Sequence, residues 1–465
     1  MNLRGKKVLL VGLGILGGGE AIARFCLSQG ARLTITDLRN KNVLKPAIQK
    51  FKGKRVTFVL GKHRIADFKR SDLVVFNPAV SSTSPWVKQT KKLGKPAEND
   101  LSLFLEHMAR QHPRPDYIAV TGTRGKTTTT FWINHLIEKS AIGGNIPQKG
   151  LLSLTTSKKS PFVLELSSFQ LEFMRKGLPP PKVAIITNLY NDHLNRYGTL
   201  EAYAKQKAKI FLNQTKHDTL ILNADDAYTK QFLQRKPKAS IYYISLKKLP
   251  KEKSGLFAQG DDIYFQEGKN KKKIFQARGM APHQLYNLLA ALLAAHCYGV
   301  SWGVLQKNAR SLPDVTFREE LVIRTKHLRV INDSAATSPD ATIAALRRFG
   351  GANTILITGG TDKSLDFSEL AREITKRIQP HNLFLLEGSA TKKLLEDLTK
   401  RRFFKTSDAR TFSSLKTLLQ SIPRANNQNT TILFSPASAS FEKFRNEFDR
   451  GKKFNVLASK IFTHI

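Results

Sequence analysis

The segment Thr121-Gly122-Thr123-Arg124-Gly125-Lys126-Thr127-Thr128 holds residue types that handle phosphate, in a workable order. Gly122 and Gly125 let the backbone turn its N–H groups inward, with Thr123 and Arg124 carried between them. Lys126 supplies a point charge for β- and γ-phosphates, and the hydroxyl of Thr127 can reach Mg²⁺ at the start of the following helix, with Thr128 beside it. Only Thr123 and Arg124 separate Gly122 from Gly125-Lys126, so the turn is shorter than the common phosphate loop.

The elements that must position this turn follow from the apolar pattern. The run Lys7 to Val11 reads as a buried strand, followed by Gly12, Gly14, Gly17 and Gly19, a helical run through Phe25, and a second strand from Leu33 to Thr36 ending at Asp37. This is a Rossmann-like βαβ unit in which glycines allow a nucleotide's phosphates close to the backbone and Asp37 meets a hydroxyl-bearing group. Leu73 to Phe76 is another strand, leaving through Asn77-Pro78-Ala79.

The pattern shifts around Pro96 to Asp100. Fresh strands are expected near Ile118–Val120, Phe162–Glu165, Val183–Thr187 and Thr219–Leu222. Lysine-rich, polar sequence between Lys247 and Arg278 reads as hairpins or loops, and an alanine/leucine helix starts at His283. After Pro313, strands are expected at Arg329–Ile331, Thr354–Ile357, Asn382–Leu386 and Thr431–Phe434. Strands alternating with helices predict parallel sheets throughout. The expected fold is α/β in three domains: a Rossmann-like N-terminal domain (1–97), a central P-loop-type ATPase domain with a mostly parallel sheet (98–311), and a Rossmann-like C-terminal domain (312–465).

Composition narrows the function classes. Lysines and arginines number 76 against 36 acidic residues, a net charge of +40 over 465 residues, so nucleic acid must be weighed as a partner. The charge is spread in small clusters such as Lys271-Lys272-Lys273, and neither base-stacking motifs nor a recognition helix accompany it, which favours solvated faces. Two distant cysteines, Cys26 and Cys297, argue against a disulfide framework and fit a reducing cytoplasm. No apolar run reaches the roughly 20 residues of a membrane span. A cytoplasmic, unexported protein is expected.

The ordered set of motifs then becomes specific. Gly144-Asn145-Ile146, Glu165-Leu-Ser-Ser-Phe-Gln170, Asn188-Leu-Tyr-Asn-Asp192-His193, Lys205-Gln-Lys207-Ala-Lys209, Asn332-Asp333-Ser334, Gly359-Gly-Thr-Asp-Lys363 and Ser435-Pro-Ala-Ser-Ala-Ser440 follow the phosphate turn in that order. The whole chain resembles the Mur ligase family, nearest the branch that couples D-glutamate to UDP-N-acetylmuramoyl-L-alanine. The resemblance implies an Mg²⁺-dependent, ATP-consuming ligase of peptidoglycan precursor synthesis that phosphorylates a carboxylate and lets an amine attack the acyl phosphate.

Carried over residue by residue, the resemblance assigns Thr127, Glu165, His193 and Lys207 to metal, Lys207 as a carbamylated lysine. Lys126, Lys207, His193 and Glu165 become the catalytic set. ATP is held by Gly122 through Thr128 with Asn287, Arg318 and Asp333. Ile15, Leu16, Asp37, Leu38, Arg39 and Asn77 take the uridine diphosphate, Asn145, Gln170 and His193 the muramoyl-alanine end, and Thr337, Lys363 and Ser440 the D-glutamate. A monomer is expected.

Some positions depart from the family's usual residues: Arg124 for Asn, Gln284 for Asn, Phe317 for His, Ala335 for Lys, and Glu447 where an aromatic is common. Three other readings stand beside the main one: a superfamily member using another amino acid or extending a folate glutamate tail, a degenerate paralogue that binds nucleotide without turnover, and a nucleic-acid-binding P-loop protein.

Overall fold

The computed structural model describes residues 2–15, 17–112, 114–146, 149–404, 409–423 and 429–462. By contacts it divides into two compact units, Met1–Pro313 and Asp314–Ile465. Three sheets run through them.

In the first unit, β1 (Lys7–Val11), β2 (Arg32–Asp37), β3 (Val56–Leu60), β4 (Leu73–Phe76) and β5 (Ala97–Glu98) form a parallel sheet in the order β3-β2-β1-β4-β5. The reversal at β1 leaves a crevice beyond the strand ends, where Rossmann-type sheets take their ligands. Gly19 sits where the first helix crosses β1: a Cβ there would lie 2.3 Å from the Leu13 carbonyl.

The second sheet holds nine strands among the described residues. They are β6 (Tyr117–Thr121), β7 (Ala141–Gly144), β8 (Phe162–Glu165), β9 (Val183–Ile186), β10 (Thr219–Asn223), β11 (Ser240–Ser245), β12 (Gly255–Gln259), β13 (Asp262–Glu267) and β14 (Asn270–Gln276), ordered β14-β13-β12-β11-β10-β9-β6-β8-β7. Strands β6 to β12 pair parallel. The hairpins β12-β13-β14 are antiparallel and lie within Lys247–Arg278, where hairpins or loops are expected beside a mostly parallel sheet. Exposed Lys271, Lys272 and Lys273 line the terminal strand β14, where charge discourages pairing with another chain's edge.

Helix Pro282–Tyr298 buries Leu288, Leu289, Leu292 and Leu293 together with Ala290, Ala291, Ala294 and Ala295, so it is apolar on all sides and covered on all sides. It packs in one core with Ile118 and Val120 of β6 and with Trp132, Ile133 and Leu136 of the helix after the phosphate turn.

The second unit contains β15 (Glu320–Arg324), β16 (Leu328–Asn332), β17 (Thr354–Thr358), β18 (Leu383–Leu386), β19 (Arg410–Phe412) and β20 (Thr430–Phe434), ordered β15-β16-β20-β17-β18-β19. All neighbours are parallel except β15–β16, where the strand Glu320–Arg324, not expected from the sequence, pairs antiparallel. Among the described residues no helix is long and apolar enough to cross a membrane.

Candidate active site

Strand β6 ends at Thr121 and helix Lys126–Leu136 begins after Gly125, so the turn singled out in the sequence joins a strand to a helix N-terminus. Both glycines are required. Gly122 has φ +144° and a Cβ would sit 1.9 Å from Thr187 Oγ1; Gly125 has φ +79° and a Cβ would sit 2.2 Å from Asn287 Oδ1. The second contact brings Asn287, on the alanine/leucine helix, against the loop.

The loop is fastened by the segment after β9. Thr123 N–H donates to the Asn188 carbonyl (3.0 Å), Arg124 N–H to Asn188 Oδ1 (2.8 Å), and Thr187 Oγ1 donates to the Arg124 carbonyl (2.7 Å). Two N–H groups between the glycines are thus spent on Asn188, which narrows the expectation that this turn's amides all face phosphate. The helix's own N-terminal turn, starting at Lys126 and Thr127 with Thr128 behind them, provides the remaining donors. Lys126 Nζ folds back to the Thr123 carbonyl (3.0 Å).

Thr127 Oγ1 donates to Glu165 Oε2 (2.7 Å), and Asn145 Nδ2 donates to Glu165 Oε1 (3.1 Å). Glu165 is buried at the end of β8. A hydroxyl and a carboxylate this close are hard oxygen donors of the kind Mg²⁺ takes, so this pair fits that ion. His193 has φ +56° and rests its ring against Phe169 (centroids 4.8 Å) and Tyr203 (5.9 Å). Among the described residues no three His, Cys, Asp or Glu side chains form a ready metal cluster.

Lys207 is only 1% exposed, and its Nζ donates to the Gly122 carbonyl (2.7 Å) while lying 4.5 Å from the Tyr203 ring centroid. Burial first, then the neighbouring Lys126 and Arg124 charges, hold its amine well below the usual ammonium value, against the pull of Asp192 and Glu165. Lys205, the neighbour that competed for this role in sequence, is exposed. Arg124 reaches Asp192 Oδ2 (3.0 Å), and Asp192 Oδ1 accepts from the His193 N–H (2.9 Å).

Gln170 has bonds within the fold. It is buried, its Oε1 caps the helix Ser168–Leu171 through the Ser167 N–H (3.0 Å), and its Nε2 donates to Asp100 Oδ2 (2.8 Å), whose carboxyl burial pushes up to about 6. Its polar atoms serve the fold.

Around the first sheet, buried Asp37 accepts the Gly14 N–H (3.0 Å) and the Arg39 N–H (2.9 Å), so the acid shapes the glycine loop itself. Asn77 closes a turn through Ala79 N–H (3.0 Å) and lies against Gly12 and Gly14. Ile15 and Leu38 are exposed apolar side chains beside it, 57% and 64% open. Leu16 lies outside the described residues.

In the second unit, Asp333 Oδ2 accepts from Ser435 Oγ (2.7 Å) and Oδ1 from the Glu319 N–H (3.3 Å). Burial and the nearby Glu319 push its carboxyl up to about 8, opposed by Ser435 and the Arg318 charge. Phe317, φ +63°, places its ring under Gly451, where a Cβ would meet it at 2.5 Å. Lys363 Nζ and Thr337 Oγ1 meet at 3.4 Å, and the buried Ser440 Oγ has no hydrogen-bond partner among the described residues.

Sequence reasoning missed three charged residues. Fully buried Arg450 spends its guanidinium on Ser334 Oγ and the carbonyls of Ser334, Ser438 and Ala439, bracing the Ser435–Ser440 segment from below. Arg196 and Glu172 form a buried pair (2.7 Å) beside the loop after β4. Arg196 belongs to the Asn188–Tyr197 motif without an assigned role, and Glu172 and Arg450 carry no motif; each reads as a surface charge until the fold covers it.

A strand-to-helix phosphate turn backed by a buried acid and a buried lysine, joined to Rossmann-like sheets, defines a nucleotide-dependent α/β enzyme. The Mur ligase middle domain matches residues 120–295, and the Mur ligase MurD-like N-terminal domain matches residues 6–97. The UDP-N-acetylmuramoylalanine–D-glutamate ligase of Roseiflexus sp. strain RS-1 is 36% identical, covering 98% of both chains, and its namesake from Borreliella afzelii strain PKo is 34% identical over 99% of both. Among solved structures, the UDP-N-acetylmuramate-alanine ligase MurC of Thermotoga maritima superposes with a TM-score of 0.61 at 21% identity, covering 98% of this chain and 99% of that one. The chain belongs to the Mur ligase family, whose members are ATP-dependent amide-forming ligases.

Proposed function

We propose that the protein joins D-glutamate to UDP-N-acetylmuramoyl-L-alanine through an acyl phosphate, as an ATP-dependent step of peptidoglycan precursor synthesis. The observation that carries this reading is the buried Lys207 amine on the Gly122 carbonyl of the phosphate turn, in a chain matching ligases of that name end to end. A lysine held neutral is a nucleophile for CO₂, and the resulting carbamate would be an anion at the phosphate site.

On this reading the chain works as three domains, 1–97, 98–311 and 312–465, in the cytoplasm and as a monomer. Thr127 and Glu165, joined by His193 and carbamylated Lys207, would hold Mg²⁺, which supplies charge neutralisation at the transferring phosphoryl oxygens. The substrate carboxylate attacks the γ-phosphorus and ADP leaves; the amino group of D-glutamate then attacks the acyl carbon and phosphate leaves. Lys126 stabilises the charge that builds on the phosphoryl oxygens. Ile15 and Leu38 would cover the uracil, with Asp37, Arg39 and Asn77 shaping the loop that receives its diphosphate. Asn145 orients Glu165 and can reach the muramoyl-alanine end. Arg318 and Asp333 are the proposed ATP contacts of the second unit. Lys363, Thr337 and the unpartnered hydroxyl of Ser440 suit the two carboxylates of D-glutamate.

The test is ADP release by the purified protein with UDP-N-acetylmuramoyl-L-alanine and a panel of D- and L-amino acids. Release that depends on D-glutamate is the expected result; release that depends on another amino acid, or none with any of them, overturns the assignment.

A further inference from the structure

The loop Asn77–Ser82, which leaves the first sheet at β4, is fastened to the second sheet's site by the ion pair of Arg196 and Glu172. Arg196 is 11% exposed at its side chain and donates Nη1 to the Ala79 carbonyl (2.9 Å) and Nη2 to the carbonyls of Pro78 (3.1 Å) and Val80 (3.3 Å). Its Nε donates to Glu172 Oε1 (2.7 Å), and Glu172 Oε2 accepts the Ser82 N–H (2.6 Å) from the same loop. Tyr197 Oη donates to the same carboxylate (2.8 Å). Burial favours the protonated form of Glu172, but these donors outweigh it and keep its carboxyl below the usual value. A guanidinium can serve three carbonyls and a carboxylate at once because its donors are fixed in one plane; an ammonium cannot.

The same guanidinium lies 3.9 Å from the Phe169 ring centroid, and Phe169 lies 4.8 Å from the His193 ring. Arg196, Phe169 and His193 therefore form one chain of contacts, guanidinium on ring and ring edge on ring, whose Arg196 end grips the Pro78–Val80 backbone. Arg196 and His193 belong to the same turn: the Arg196 N–H donates to the His193 carbonyl (2.9 Å). The loop and the ring proposed to bind Mg²⁺ thus share Arg196 as a common contact.

We propose that Arg196 is a positioning residue that fixes the sugar-nucleotide loop Asn77–Ser82 relative to His193, so that the acid end of the UDP-linked substrate meets the phosphate turn at one distance. The inference rests on the proposed ligase reading. Its signature is selective: it acts on the uridine-linked substrate and on turnover, while leaving ATP binding at the Gly122–Thr128 turn intact.

The experiment compares wild type, Arg196→Lys, Arg196→Met and Glu172→Gln by steady-state kinetics in each substrate, with thermal melting and binding of a non-hydrolysable ATP analogue alongside. For Arg196→Met, kcat/KM for UDP-N-acetylmuramoyl-L-alanine is expected to fall about tenfold to a hundredfold, the range of a lost charge-assisted contact, with analogue affinity within about twofold of wild type. Arg196→Lys should recover little of the loss, and Glu172→Gln should shift kcat/KM the same way by less. Unchanged kcat/KM in Arg196→Met, full rescue by lysine, or equal losses for ATP and the UDP-linked substrate would each overturn the positioning role. Should Arg196→Met fail to fold, Glu172→Gln decides alone, since it keeps the shape and removes the charge. A wild-type protein inactive on this acceptor would instead overturn the ligase reading.

Discussion

Lys207 Nζ donates to the carbonyl of Gly122 over 2.7 Å, so the buried amine from helix Leu200–Ala208 reports directly on the backbone of the phosphate turn. A side chain that is 1% exposed and surrounded by Lys126 and Arg124 does not carry a proton easily. Losing it should remove turnover: Lys207→Ala is expected to reduce kcat by at least about 10³-fold, with partial rescue by bicarbonate or a small carboxylate. Full activity in that variant would refute the role. The same burial fixes a stability trend. The folded chain releases a proton that the unfolded chain keeps below the ordinary lysine value of 10.5, so wild-type stability falls as pH drops from that value. In CO₂-depleted buffer, melting curves of Lys207→Met and wild type should therefore diverge in the variant's favour from pH 10 towards pH 7.

Gly125 tests the loop from its other side. A Cβ at this position would stand 2.2 Å from Asn287 Oδ1, in a backbone region at φ +79° that an L side chain rarely enters. Gly125→Ala must displace Asn287 or the loop, and both are proposed to contact ATP. A drop of about 100-fold in kcat/KM for ATP is expected, with the KM for the UDP-linked substrate little changed, since the first sheet's loops are untouched. Steady-state kinetics in each substrate separately would tell the two apart.

Legibility differed by how local each requirement is. The phosphate turn was readable because glycine, lysine and threonine must stand together in sequence to do their work. Glu165 and Lys207 were placed through family resemblance, and their burial agrees with work on charge in a protected site. Arg196, Glu172 and Arg450 were not readable, since their partners are backbone carbonyls and hydroxyls brought in from distant segments. The structural bonds of Gln170, an i to i+3 cap and a contact to the distant Asp100, were not legible beside the substrate role that the resemblance implies. Strand β14 was hidden by its lysines: an edge strand needs no alternating apolar face outward, and its charge resembles a loop's.

Arg124 stands where the family resemblance leads one to expect Asn, and its guanidinium holds Asp192 at 3.0 Å, next to His193 in sequence. With alanine at position 335 where the family resemblance expects lysine, this arginine is proposed as a compensating cation for the transferring phosphoryl group. Arg124→Asn is expected to lower kcat by about tenfold to a hundredfold while leaving the fold and the melting temperature nearly unchanged, because the arginine is partly exposed and its N–H bond to Asn188 is a backbone contact. An asparagine variant as active as wild type would remove the compensation argument.

Asp333 supplies the opposite pH dependence to Lys207. Burial and Glu319 push its carboxyl up to about 8, whereas the unfolded chain ionises it near the ordinary 3.8. Between those values the folded protein holds a proton that the unfolded one has released, so this residue's contribution to stability is complete below 3.8 and is lost as pH rises towards 8. Asp333→Asn keeps the shape without the titration: its amide oxygen can accept the Glu319 N–H in place of Oδ1, while its NH₂ takes the place of Oδ2 and donates to Ser435 Oγ. Its melting temperature relative to wild type should therefore climb between pH 4 and pH 8 and level off above. A difference that stays flat across that interval would mean the carboxyl ionises normally in the fold. A neutral Asp333 also makes a prediction for ligand binding: nucleotide analogue affinity in wild type should change across pH 8, and the Asn variant should lose that step, which a purely structural carboxyl would not produce.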